Sequence, residues 1–100
     1  MSIVITEIQG DGIILQCNKP LLLNYIIKDN YLIFDDDTLD IHLCCKTEQE
    51  LFDEFCEFVI CDYFAFVKAD GDLLTDKAKE FCKILQSKFT EVIKWGDIKW

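Results

Sequence analysis

Proline occurs once, glycine four times, histidine once and arginine not at all in these 100 residues. A chain so short of proline and glycine is neither collagen-like nor low in complexity, and 51% hydrophobic residues argue against intrinsic disorder. Long apolar runs are also missing. The longest, Leu21 to Ile27, is interrupted by Asn24 and falls well short of the roughly 20 residues a membrane helix needs. Met1 to Gln9 has neither a basic leader nor a small-residue cleavage site. The six cysteines are therefore expected as thiols in a reducing compartment, the cytoplasm.

Catalytic signatures are equally scarce. No dinucleotide-binding glycine fingerprint, phosphate-binding Walker loop or nucleophile elbow occurs. His42 and Cys44, two apart on one strand face, have no identifiable third residue to orient the imidazole. Structural zinc needs paired cysteine knuckles. Here Cys44 and Cys45 are adjacent, Cys17 and Cys82 stand alone, and Cys56 and Cys61 lie about 140° apart on a helical wheel. Centring a calcium loop on Gly71 would put Phe66 and Lys77 where carboxylates are required. No enzyme activity, cofactor or metal is expected.

What is present divides the chain in two. Up to residue 45, short apolar runs alternate with turn residues: Ser2–Gln9, Ile13–Cys17, Leu21–Ile27, Tyr31–Phe34 and Leu39–Cys45. Gly10-Asp11-Gly12 is a hairpin signal, and Pro20 in Asn18-Lys19-Pro20 is expected to break the second strand. The period then changes. Thr47 with Glu50 forms a capping box, and Phe52, Phe55, Cys56, Val59, Tyr63 and Phe66 share one face of a helix over 47–68. Ala69-Asp70-Gly71 breaks it, and Asp72 or Thr75 caps a second helix over 73–95. The stripe of that helix is Leu74, Ala78, Phe81, Leu85, Phe89 and Val92. Trp95 is expected to finish the seam and Trp100 to fold back on the core, the alternative being that the pair anchors an interface. The predicted fold is one α+β domain, an antiparallel β-meander of four to five strands followed by two antiparallel helices on one sheet face. The other sheet face is left for solvent or contact.

Charge is distributed unevenly. Residues 1–76 hold sixteen acids and four lysines, whereas residues 77–100 hold three acids and six lysines. With a net charge of −9, binding to nucleic acid or to anionic lipid is not expected. The acids gather in Asp35, Asp36, Asp37 and Asp40, and again in Glu50, Asp53, Glu54 and Glu57 on the polar face of the first helix. One reading is a solvated face whose first-turn acids favour the positive end of the helix dipole. The other is a single negative surface that steers toward a basic protein partner and occupies its phosphate-binding cations. Phe64, with Cys61, falls on the continuation of that face, where it needs either the second helix or a partner to cover it.

The run from Leu39 to Phe55, with the loop Asp70-Gly71-Asp72-Leu73-Leu74-Thr75 leading toward Ala78 and Phe81, resembles a group of small prokaryotic proteins. In these a last strand enters a capped acidic helix, and an acidic loop and a further helix follow. The strand-to-capped-helix step is similar to HicB-like antitoxins. The resemblance implies a small protein that neutralises a partner and has no catalytic residues to carry over. The reading is an acidic inhibitor of a basic, nucleic-acid-handling protein (a toxin, nuclease or defence effector such as a CRISPR complex). Its rival is an assembly module that forms homodimers through the open sheet face or the Phe64 patch.

Overall fold

The computed structural model describes residues 1–68 and 74–94. The expected break at Ala69-Asp70-Gly71 and the two tryptophans lie outside them. Strands precede helices as expected, in the order β1 (Ser2–Gly10), β2 (Ile13–Asn24), β3 (Ile26–Lys28), β4 (Tyr31–Asp36), β5 (Ile41–Cys45), α1 (Glu48–Asp62) and α2 (Asp76–Lys88). A sixth strand, β6 (Phe89–Lys94), follows. All pairings are antiparallel, but they form two three-stranded sheets, β1-β2-β6 and β3-β4-β5, instead of one meander.

Two hairpins turn as their residues dictate. Asp11 and Gly12 both have positive φ, 48° and 83°, between the paired Gly10 and Ile13, which is a type I′ turn. Asp29 and Asn30, at 53° and 66°, do the same between β3 and β4. Proline 20 does not end its strand. β2 runs through it and pairs Leu21, Leu22 and Leu23 with Ile5, Val4 and Ile3, while the ladder to β6 stops at Cys17. Pro20 thus sits where no neighbour needs its missing N–H, a setting in which a strand tolerates it.

Along the strands, alternate residues enter one core: Ile5, Leu15 and Leu23 from the first sheet, Leu32, Phe34 and Leu43 from the second. Helix α1 closes it with Leu51, Phe55 and Val59, all fully buried, and the Phe55 ring meets Phe34 edge-on at 5.8 Å. Burying one such side chain stabilises by about 1.5–3 kcal/mol. Thr47 caps α1 by accepting from the Glu50 N–H at 3.1 Å, and Glu50 Oε2 accepts from the Lys46 N–H at 2.9 Å. The expected apolar face of this helix is buried or half-buried throughout. Its last turn widens into a π-turn, Tyr63–Val67, closed by the Lys68 N–H on the Tyr63 carbonyl.

Helix α2 is capped by Thr75, as one of the two expected choices, and Phe81 packs against Phe66 with ring centroids 4.9 Å apart. The helix expected to reach residue 95 stops at Lys88. Phe89 takes up φ −130°, ψ 144°, and Ile13–Cys17 of β2 gains its second neighbour. The β-branched Thr90, Val92 and Ile93 favour this extended path. Phe89 stays in the core, but Val92, assigned to the helical stripe, is half exposed. Lys68 ties β6 to the π-turn through Glu91 at 2.7 Å. No helix among the described residues is long and apolar enough to cross a membrane.

Candidate protein-binding surface

The acids of the β4–β5 turn are partly engaged by their own loop. Asp36 Oδ1 accepts from the Leu39 N–H at 3.0 Å and pins the turn. Asp35 and Asp40 flank His42, with Asp35 Oδ1 at 2.8 Å from Nδ1 and Asp40 Oδ1 at 3.3 Å from Nε2. The hydrogen bond to Asp35 is the main reason that the imidazole pKa is raised, with Asp40 adding to it. His42 and Cys44 do share the outer face of β5, and both are exposed. Asp37 makes no hydrogen bond or ion pair among the described residues.

Helix α1 uses its acids similarly. Besides Glu50 in the cap, Glu54 Oε2 accepts from the Cys45 thiol at 2.9 Å. Burial, followed by this carboxylate, pushes the Cys45 pKa up to about 12 and keeps it a thiol. Asp53 accepts from the Gln49 amide at 2.9 Å, and Glu57 has no partner among the described residues. All four side chains are exposed.

The expected single negative surface is divided. The helix returns antiparallel to β5, so its end, not its start, meets the β4–β5 turn. Asp40 and Asp62 border a cleft of about 430 Å³ between Phe58, Phe66 and Phe81. Burial, with Asp40 nearby, raises the Asp62 pKa. Asp53 and Glu57 belong to a larger groove, about 810 Å³, between α1 and the β1–β2 hairpin. Its remaining charged residues among those described are Glu7 and Asp11, so each described charge on its walls is negative. Phe52, Cys56 and Ile60 line it as well. Gly10 brings the walls together: a Cβ there would lie 3.2 Å from Ile60 Cγ1. Only glycine admits this approach of helix to strand without displacing Ile60.

Sequence reasoning missed Glu7 and Asp11, since they join the helix acids only through packing across some fifty residues. Asp35, Asp36 and Asp37 border neither hollow. Phe64 is exposed at 37% and borders neither as well. Phe58, not singled out, is more open at 47% exposure. Cys56 and Cys61 both border the groove despite their angular separation, Cys56 buried and Cys61 exposed. No three His, Cys, Asp or Glu side chains among the described residues are grouped to hold a metal ion.

No protein-family model, curated protein or solved structure matches the chain.

Proposed function

We propose that this is a non-enzymatic cytoplasmic protein that neutralises a basic, nucleic-acid-handling partner in the manner of an antitoxin or an anti-CRISPR inhibitor. The observation that carries the reading is the α1–β1 groove, where Glu7, Asp11, Asp53 and Glu57 meet an apolar lining with no basic residue among the described ones. Carboxylates there would occupy the lysines and arginines a toxin, nuclease or defence effector uses to hold phosphate. Apolar contacts around Phe52 would exclude water from these pairs. Asp36 and Glu54 are poor sites for testing this, because one holds the turn through the Leu39 N–H and the other the thiol of buried Cys45. Asp53, whose partner is the exposed Gln49 amide, and Glu57 are better.

The test is affinity capture from host lysate on wild-type protein and on the Asp53→Lys, Glu57→Lys double variant. One basic nucleic-acid enzyme should be held by the wild type at low salt, weakened by a moderate-salt wash and lost on the variant. Equal retention by both proteins would overturn the reading. The outer face of the first sheet favours a second reading, self-assembly, since Val4 and Leu22 face each other across β1 and β2 and are each 58% exposed.

A further inference from the structure

Among the described residues β1 is the outer strand of its sheet, paired with β2 on one side only. In a type I′ turn the Gly10 carbonyl accepts from the Ile13 N–H, so the backbone groups of Gly10 point toward β2. Strand alternation then turns Ile8 the same way and Gln9 the opposite way, toward the open edge. The same alternation turns Glu7 outward before the register shift between Ile5 and Glu7, so among the described residues Glu7 and Gln9 have unpaired backbone groups along the edge. Both residues line the α1–β1 groove. The groove therefore offers backbone donors and acceptors, four carboxylates and an apolar lining side by side.

From this arrangement we infer that the partner enters as an extended basic segment that adds a strand to the free edge of β1. Its alternate side chains would lie against Phe52, Cys56 and Ile60, and its lysines or arginines would reach Asp53, Glu57, Asp11 and Glu7. Strand addition takes its affinity from main-chain hydrogen bonds and its specificity from the side chains along the groove. A second copy of this chain fits poorly. Edge-to-edge pairing would bring Glu7 and Asp11 against like charges, and a bulge with charged residues is how edge strands resist self-pairing. The inference rests on the acidic-groove reading and adds the conformation of the bound segment.

Two probes test it by calorimetry and by amide chemical shifts: a short peptide alternating lysine and valine, and the same peptide methylated at each backbone nitrogen. The plain peptide should bind and shift the Glu7 and Gln9 amides. The methylated one should bind about tenfold more weakly or worse, the equivalent of one or two net hydrogen bonds. On the protein side, Gln9→Pro removes one edge N–H and leaves the ladder to β2 intact, so it should weaken the plain peptide by a similar factor. If Gln9→Pro fails to fold, the peptide pair decides alone. Equal binding of the two peptides would overturn strand addition and leave the acidic groove standing. Absence of binding by the plain and the methylated peptide alike would overturn both readings.

Discussion

His42 shows how little a residue's surroundings can be read from its neighbours in sequence. As the sole imidazole beside a pair of cysteines it invites a nucleophilic reading, yet its ring nitrogens are taken by Asp35 and Asp40. A histidine whose pKa is raised on folding stabilises the fold when protonated. That contribution is complete below the unfolded value of about 6.5 and is lost as pH rises through the higher folded value. The thermal transition should therefore fall between mildly acidic and neutral pH by an amount that His42→Ala abolishes. Proton chemical shifts of the imidazole should titrate above the unfolded value. A midpoint at or below it would remove Asp35 and Asp40 as partners in solution. The cysteines make the same point from the other side, because Cys44 and Cys45 are adjacent but face opposite ways. One is open to solvent, and the other donates to Glu54 from the core.

At the scale of elements, what was legible followed from local rules, and what was not required a partner strand. The type I′ turn at Asp11-Gly12, the buried face of α1 and its Thr47 cap are each written within a few residues of where they act. The cap has a measurable share. Thr47→Ala leaves the Glu50 N–H without its acceptor and should cost about 1 kcal/mol, read as an earlier urea midpoint with unchanged slope. A cost near zero would mean that Glu50 and the helix packing hold this end without the cap. The end of α2 was not legible in this way. Helical periodicity continues through Phe89 and Val92, and the sequence there is β-branched too, so both periods fit. The choice is made by β2, whose Ile13–Cys17 stretch lacks a second neighbour until β6 arrives. Proline 20 misled for the complementary reason, since the ladder to β6 stops three residues before it. The division of strands into two sheets likewise depends on pairings that no single strand encodes.

The whole molecule carries −9, and its acids do not act as one surface. Cap, turn and histidine clip consume several of them, the Phe58 cleft holds Asp40 and Asp62, and the α1–β1 groove combines four carboxylates with apolar walls and open backbone. This arrangement sets what the free protein should do before any partner is present. The Val4–Leu22 pair on the outer sheet face offers apolar area for self-association, but like charges repel across any interface between two copies, and most strongly at low salt. Light scattering should therefore give the monomer mass, 11.7 kDa, independent of concentration at low ionic strength. A stable dimer there would move the functional assignment to assembly. In that case Leu22→Lys, which places a charge at the centre of the exposed pair, should restore the monomer, while Asp53→Lys with Glu57→Lys should leave the dimer intact because the groove opens at the other side of β1. With the monomer found instead, the same two variants should reverse their importance, the groove substitutions abolishing partner binding and Leu22→Lys sparing it.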